Sequence, residues 1–365
     1  MNEHRVLMKG NEALAEAAIR AGCRFFSGYP ITPQTEILEY MSWRMEEVGG
    51  DCVQTEDELA AVNMLLGASA AGGRVLTTSS GPGFSLKQEG LSYLAAADLP
   101  AVVVDVARLG NGLGEIFQSQ GDYNLVTKGN GHGDTMLIAL TPASVQETVD
   151  FTVLAFELAD KYRHPVLILS DAAIGQTMES ITLPALKEHD IDTYDWPLRG
   201  YKPGDPHKRI GNVAYVMPGG FNEYQEYIKA KYALIAENEQ HWESIEVADA
   251  ELVIVAYGIS ARVSKEAVKI ARKAGLRLGL IRPKAVMPFP VKAFAEIGPD
   301  CRGLLLVEMS VMGQMQDDVA LATQCRLPVY GYCTSCDVPE SDKVVDLARN
   351  ILAGKVAPLK AAKEV

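Results

Sequence analysis

The chain has 365 residues, 48% of them apolar, with 34 Lys and Arg against 47 Asp and Glu and a formal net charge of -13. That length suits two or three domains with full cores, and the acidic balance opposes generic nucleic-acid binding or attraction to an anionic membrane surface. No charge-free run approaches the ~18 to 20 apolar residues of a membrane span, and the start Met1-Asn2-Glu3-His4-Arg5 lacks the apolar segment of a signal peptide, so a cytoplasmic protein is expected.

Asn11 to Ala21 is rich in Ala, Leu and Glu and stops at Gly22, a helix by propensity and stop signal. Cys23 to Gly28 follows as a short strand. Gly28-Tyr29-Pro30-Ile31-Thr32-Pro33 then turns that strand into a helix over 34–48, where Ile37, Leu38, Met41 and Met45 recur at helical spacing. Thr32 suits the N-cap, and Pro33 suits the first helical position because its missing N–H would be unpaired there anyway. The pattern next predicts a strand over 51–55, a helix over 57–71, a strand over 74–79, a tight turn at Ser80-Gly81-Pro82-Gly83 and a helix over 85–96.

Pro100 to Val106 is a continuous β-branched run of the kind buried on both faces of a parallel sheet. Residues 109–133 form a Gly-rich loop, long enough to suggest a functional role. Strands over 135–140 and 165–170 flank a helix over 144–162. This alternation predicts a doubly wound α/β domain with a mostly parallel sheet over 1–180. Over 181–248 Pro184, Pro197, Pro203, Pro206 and Pro218 interrupt the pattern, giving an irregular linker that ends in a charged helix over 221–247, intact or broken. A smaller second α/β domain follows over 249–353, with strands at 251–257, 276–282, 303–308 and 329–332. Its helices are expected at 260–274, within 290–297, at 315–323 and at 342–352. The Ala- and Lys-rich stretch 354–365 reads as a frayed tail.

In open parallel sheets ligands bind outside the carboxyl ends of the strands, so the residues that follow each strand are the ones to weigh. Thr32 is such a residue, with a helix start as its plain alternative. Glu58 begins a helix with Ala61, Val62 and Leu65 at i+3, i+4 and i+7, so its side chain starts on an apolar stripe. A carboxyl there sits either at the core's edge or inside a site where it exchanges a proton. Arg108 ends the buried run and either forks onto a carboxylate or makes a surface ion pair. Gly110-x-Gly112-x-Gly114 is not a dinucleotide fingerprint, and no G-x-x-x-x-G-K-[ST] occurs. His132 is a lone loop histidine without nameable metal partners. Six cysteines make no disulfide framework, and Cys333-Thr-Ser-Cys336 reads as two reduced thiols ahead of a redox pair or half a metal site.

Several separated stretches together resemble one family. Gly-Tyr-Pro-Ile-Thr-Pro (28–33), Thr-Glu-Asp-Glu-Leu-Ala-Ala-Val-Asn-Met (55–64), Thr-Ser-Ser-Gly-Pro-Gly (78–83) and Asp-Val-Ala-Arg (105–108) look like the alpha subunit of 2-oxoacid:ferredoxin oxidoreductases. Val-Ala-Tyr-Gly (255–258), Arg-Pro (282–283) and Val-Glu-Met-Ser (307–310) extend the likeness through the second domain. The resemblance implies a pyrimidine-binding domain for thiamine diphosphate followed by a transketolase C-terminal-like domain. It aligns Glu58 with the glutamate that hydrogen-bonds the aminopyrimidine and so assists deprotonation of thiazolium C2. It sets Pro30 and the turn Ser80, Gly81, Pro82, Gly83 beside the cofactor, and it aligns Thr32 and Arg108 with residues that hold the substrate's oxygens and carboxylate.

The Gly-Asp-Gly motif and downstream Asn that hold Mg²⁺ and pyrophosphate in thiamine enzymes are not found. Gly121-Asp122-Tyr123 and Gly133-Asp134-Thr135 both fail at the third position, and no ferredoxin-type cysteine run occurs. The expectation is therefore a subunit that needs a beta subunit for pyrophosphate and Mg²⁺, gamma and ferredoxin-like delta subunits carrying iron–sulfur clusters, and ferredoxin, with coenzyme A as acyl acceptor. The loop over 112–133 is most similar to the branched-chain type, acting on 2-oxoisovalerate (3-methyl-2-oxobutanoate), and lacks the Gly-Pro-Ser-Thr-Gly pattern of the 2-oxoglutarate type. Two alternatives stay open: the same chemistry on 2-oxoglutarate or another 2-oxo acid, and a non-catalytic nucleotide-binding or scaffold subunit.

Overall fold

The computed structural model describes residues 5–204 and 210–363. The expectations for the first four residues, Pro206 and the last two residues lie outside these. In chain order the first elements are Arg5–Lys9 (β1), Gly10–Arg20 (α1), Phe25–Gly28 (β2), Thr35–Glu47 (α2), Asp51–Gln54 (β3), Glu58–Ala70 (α3), Val75–Ser79 (β4) and Gly81–Ala96 (α4). Ala101–Ala107 (β5), Ile138–Leu140 (β6), Val145–Tyr162 (α5), Pro165–Asp171 (β7), Ala172–Gln176 (α6), Met178–Thr182 (β8) and Gly220–Asn238 (α7) follow. Trp242–Ile245 (β9), Leu252–Val255 (β10), Gly258–Lys273 (α8), Leu278–Pro283 (β11), Ala285–Met287 (β12), Leu304–Glu308 (β13), Gln316–Ala322 (α9), Val329–Cys333 (β14) and Ser341–Leu352 (α10) complete them.

Among the described residues the larger sheet has seven strands in the order β12-β6-β7-β5-β4-β2-β3, parallel except for β12. The second has five in the order β14-β13-β10-β11-β9, parallel except for β9. This is the doubly wound, mostly parallel α/β architecture the alternation predicts. β4, β5 and β7 are buried along their whole length, which is why they read as unbroken apolar or small-residue runs: helices cover both faces of a parallel sheet. Leu14, Ile19, Ile37, Met41 and Phe156 from α1, α2 and α5 pack on one face. On the other, Val62, Leu65, Phe84 and Leu91 of α3 and α4 belong to a core that continues through Tyr123 and Val126 to Val253, Tyr257 and Leu306 of the second sheet. The two sheets therefore share a core, to which each fully buried side chain of this size contributes about 1.5–3 kcal/mol. No helix among the described residues is long and apolar enough to cross a membrane.

Several local expectations change. Thr32 is not an N-cap and Pro33 is not a first helical residue: α2 begins at Thr35 after Gln34, and the Thr32-Pro33 peptide is cis. The physical reason is that the segment's backbone is engaged elsewhere. Asn11 Nδ2 donates to Pro33 O at 2.7 Å, and Gln34 N donates to Ile31 O at 3.0 Å, closing a turn instead of a helix. Ser80-Gly81-Pro82-Gly83 is not a turn before a helix but the N-cap and first turn of α4, with Pro82 in a position where its missing N–H costs nothing.

The charged helix ends at Asn238, and β9 pairs antiparallel with β11 where more helix was expected. The stretch within 290–297 is a 3₁₀ turn, Val291–Glu296. β1 and β8, which form a two-stranded ribbon, and β12, which joins the larger sheet beside β6, carry too little periodicity to read from sequence. Residues 354–363 are not frayed: Val329 and Lys360 exchange backbone hydrogen bonds of 2.9 and 3.1 Å, and Lys363 N donates to Cys325 O.

Candidate active site

The chain reverses its winding at β2. β3 lies on one side of β2, while β4 and β5 lie on the other, so a crevice opens between the carboxyl ends of β2 and β4, where ligands of such sheets bind. The residues that follow β2, β3, β4 and β5 meet there.

Asp57 caps α3 by accepting from Ala60 N at 2.7 Å, which starts the helix with Glu58 turned inward. Glu58 is 4% exposed, and its Oε1 accepts one long hydrogen bond, 3.4 Å from Ser79 Oγ at the end of β4. Gly83 completes this corner, because a Cβ there would overlap both Glu58 Oε1 and Ser79 Oγ. At Gly90, two turns further along α4, a Cβ would overlap Val62, so α3 and α4 approach closely enough to hold the corner closed. Gly81 has φ +44° and faces the Arg108 side chain. Ser80 Oγ is buried with no hydrogen-bond partner.

Arg108, 7% exposed, reaches from the end of β5 back to the β2 turn, where its Nη1 donates to Thr32 O at 2.9 Å. Its Nη2 donates to Leu113 O, and its Nε is buried without a partner. The surface ion pair is therefore not what this arginine makes. Thr32 itself is exposed. Thr32, Glu58, Ser80, Gly81, Gly83 and Arg108 are thus brought to one rim. Pro30 and Pro82 lie on the same two connections, after β2 and at the start of α4.

Sequence reasoning missed the residues that hold this rim in place. Gln34, fully buried, donates from Nε2 to Tyr29 O at 2.9 Å and accepts from Thr78 Oγ1, pinning the β2 turn to β4. Asn11 bridges Pro33 O and Glu36 Oε2. No local signal flags them, since Asn11 sits between Lys9 and Glu12 and Gln34 between Thr32 and Glu36, among other polar residues. Asp105 on β5 accepts from Gly81 N at 3.3 Å. Burial, and then the neighbouring Asp122, lift its carboxyl well above the usual range, while burial pushes Asp122 up to about 6. Asp122 lies close enough to Asp105 to raise that carboxyl's proton affinity, which sets Asp122 of the Gly-rich loop against the end of β5.

That loop runs outward from Arg108, folds back through Leu109 N to Phe117 O at 2.9 Å, and carries Leu113, Ile116 and Phe117 exposed near its tip. It then inserts Gln120 between the two sheets. Gln120 Nε2 donates to Tyr257 O at 2.9 Å, and its Oε1 accepts from Ser260 Oγ at 2.6 Å and Met309 N at 2.9 Å. His132 is not part of the rim; it lines a separate concavity with Tyr93 and Tyr232. A cavity of about 630 Å³ against the linker is likewise elsewhere, and there Arg163 is already engaged, 4.9 Å over the Trp196 ring. All six cysteines are free thiols. No group of three or more His, Cys, Asp or Glu among the described residues is placed to hold a metal ion.

The arrangement fits the aminopyrimidine half of thiamine diphosphate. A buried carboxyl with a single weak partner, an orphaned Ser80 hydroxyl and two side-chain-free positions at Gly81 and Gly83 leave both the space and the bonding capacity for a flat polar ring. Beside it, the Arg108 guanidinium keeps its Nε without a partner.

The chain is similar to known proteins along most of its length. Residues 16–244 match the family described as pyruvate flavodoxin/ferredoxin oxidoreductase, thiamine diP-bdg, and residues 250–338 match pyruvate:ferredoxin oxidoreductase core domain II. The chain is 48% identical over 321 residues to the ketoisovalerate oxidoreductase subunit VorB of Methanothermobacter thermautotrophicus, covering 88% of this chain and 90% of that one. It is 35% identical to the 2-oxoglutarate synthase subunit KorA of Archaeoglobus fulgidus, covering 95% and 99%. Among solved structures, the 2-oxoglutarate:ferredoxin oxidoreductase from Magnetococcus marinus superposes with TM-score 0.82 at 27% identity, covering 95% of this chain and 65% of that chain. A split-gene transketolase, an inactive beta4 tetramer, shares the fold at 13% identity and TM-score 0.58.

Proposed function

The chain belongs to the pyruvate flavodoxin/ferredoxin oxidoreductase family, as a subunit of a thiamine diphosphate-dependent 2-oxoacid:ferredoxin oxidoreductase, and on that premise we propose that it supplies the pyrimidine-side half of a site for a branched-chain 2-oxo acid. The observation that carries the reading is the convergence of Glu58, Ser79 and Gly83 on one corner and of Arg108 and Thr32 on the next.

In this reading Glu58 holds a proton against the aminopyrimidine ring, and Gly83 keeps the approach open. Pro30, Ser80, Gly81 and Pro82 form the walls around the ring. Arg108 takes the 2-oxo acid's carboxylate, its fork already oriented by Thr32 O and Leu113 O, while the exposed Thr32 hydroxyl donates to a substrate oxygen. When bound, thiamine diphosphate supplies the carbanion chemistry that cleaves the bond to the departing CO₂. The protein's part is to orient, to hold the proton and to exclude water. Pyrophosphate and Mg²⁺ belong on a beta subunit, and electrons leave through cluster-bearing gamma and delta subunits to ferredoxin, with coenzyme A accepting the acyl group.

The loop over Arg108 supports a branched-chain substrate over a dicarboxylic one. Residues 109–117 offer Leu113, Ile116 and Phe117 and a single charged side chain, the acidic Glu115, which suits an isopropyl group and repels a second carboxylate. The ketoisovalerate relative, at 48% identity against 35% for the 2-oxoglutarate one, supports the same choice.

The test is the complex reconstituted with its partner subunits and assayed with coenzyme A, a one-electron acceptor and a panel of 2-oxo acids. The highest kcat/KM is expected for 2-oxoisovalerate. Glu58→Gln should lower kcat at least about 100-fold, and Arg108→Met should raise KM for the 2-oxo acid about tenfold or more. Full turnover by Glu58→Gln would remove that residue from the chemistry, and preference for 2-oxoglutarate would overturn the substrate.

A further inference from the structure

Beneath the Glu58 carboxyl lies a second ionisable group to which the chemistry above gives no role. Lys87, in the second turn of α4, is fully buried, and its Nζ donates to Thr77 Oγ1 at 2.8 Å. Thr77 Oγ1 in turn donates to Ser27 O at 2.6 Å. The geometry is a ladder of two rungs. Thr77 and Ser79 are two apart on β4 and share a face of the strand, while Gly83 and Lys87 are four apart on α4 and share a face of the helix. The upper rung sets Gly83 and Ser79 against Glu58 Oε1; the lower one sets Lys87 against Thr77. The amine is therefore packed one step below the carboxyl in the same wedge between α3, β4 and α4.

The charged groups that face Lys87 are Glu58 and Asp57, both from the start of α3. β2 and β4 present the hydroxyls Ser27, Thr77 and Ser79. Asp105 of β5 and Arg108 beyond it meet α4 at Gly81, nearly two turns away. Burial pushes the amine down to about 7, with Glu58 and then Asp57 pulling it the other way. As a space filler a lysine here is a poor choice. A methionine occupies the same volume without the desolvation penalty, and a single hydrogen bond to a hydroxyl does not offset that penalty. Its charge is what distinguishes it from the alternatives.

We propose that Lys87 is a positioning residue that sets the proton occupancy of Glu58 from below, favouring the carboxylate when it is an ammonium and the carboxylic acid when it is an amine. The inference rests on the reading of Glu58 as the group that hydrogen-bonds the aminopyrimidine. Only a protonated carboxyl donates to a ring nitrogen, so the affinity for thiamine diphosphate reports on that occupancy without any turnover.

The experiment is calorimetric titration of thiamine diphosphate, with Mg²⁺ saturating, into the complex co-purified with its partner subunits, across a pH range that brackets neutrality. In the parent, affinity falls as pH rises, with a midpoint against which the variants are compared. In Lys87→Met, with the opposite charge gone, that midpoint moves up by about one pH unit. Lys87→Arg keeps the charge at every pH and leaves the midpoint in place or lowers it. Should Lys87→Met fail to assemble, Lys87→Gln carries the same expectation. An unmoved midpoint in the neutral variants, or the same rise in Lys87→Arg, overturns the proposal, because lost packing weakens binding at every pH alike. Glu58→Gln, run alongside, should show no such fall. If it keeps the parent's profile, the Glu58 reading fails and the Lys87 proposal falls with it. If its profile is flat while Lys87→Met keeps the parent's midpoint, only Lys87 has been misread.

Discussion

The molecule has two parallel sheets, each with a crevice where its winding reverses, and the two crevices have opposite fates. Between β2 and β4 the polar groups are left with bonding capacity to spare: Ser80 Oγ and Arg108 Nε have no partner, and Glu58 Oε1 has one at 3.4 Å. Between β10 and β13 the equivalent space is filled by this chain's own Gln120, whose amide is bonded to Tyr257 O, Ser260 Oγ and Met309 N. Glu308 is the exception there, with Oε1 unpartnered and burial raising its carboxyl to about 8. The rule that ligands bind at strand carboxyl ends nominates both places. What separates them is the occupant: Gln120 fills the second crevice with bonds to residues after β10 and β13, and among the described residues no side chain does so in the first.

If that contrast is right, substitutions in the first crevice cost activity and substitutions in the second cost stability. The largest effect is expected for Gly83→Ala, whose new methyl meets Glu58 and Ser79. Turnover of the reconstituted complex should drop at least about 100-fold, while the unfolding free energy from urea titration stays within about 1 kcal/mol of the parent. Next is Gln120→Ala, which leaves Ser260 Oγ and Met309 N without their partner while Tyr257 O keeps Ala261 N, and which should lower the unfolding free energy by about 2–4 kcal/mol. Equal stability losses at both sites would break the comparison.

The smallest effect sharpens the contrast further, since Lys87→Met should stabilise the chain. Lys87 titrates near 7 when folded and near 10.5 as an ordinary lysine. The penalty for burying its charge is therefore fully present below pH 7, and it fades as pH rises through the window up to 10.5. Melting curves should show a gain of about 1–3 kcal/mol below pH 7 that shrinks toward alkaline pH. A gain that grows with pH would contradict the assignment of a buried, titrating amine.

Much of the fold was legible because burial on both faces writes itself into local composition. β5 and β7 read as strands from their own residues, α1 from its propensity and the stop at Gly22, and α2 from the helical spacing of Ile37, Leu38, Met41 and Met45. The elements that escaped are short or sit at edges: β1, β8, β9 and β12 have few residues and partners remote in sequence, so no local pattern marks them. The reading of Thr32 failed for a related reason. A Thr-Pro pair is a good helix start in isolation, but Asn11, Gln34 and Arg108 compete for that backbone from elsewhere in the chain.

The sequence by itself determined the α/β class and placed Thr32, Glu58 and Arg108 just beyond predicted strand ends. These follow from local preference and from motif spacing along the chain. Tertiary structure alone decided that Arg108 reaches Thr32, that Gly83 faces Glu58, that Lys87 lies beneath it and that Gln120 closes the other crevice. Each of these is a pairing across tens of residues, set by which strands become neighbours, and strand order is a property of the assembled sheet that no single segment encodes.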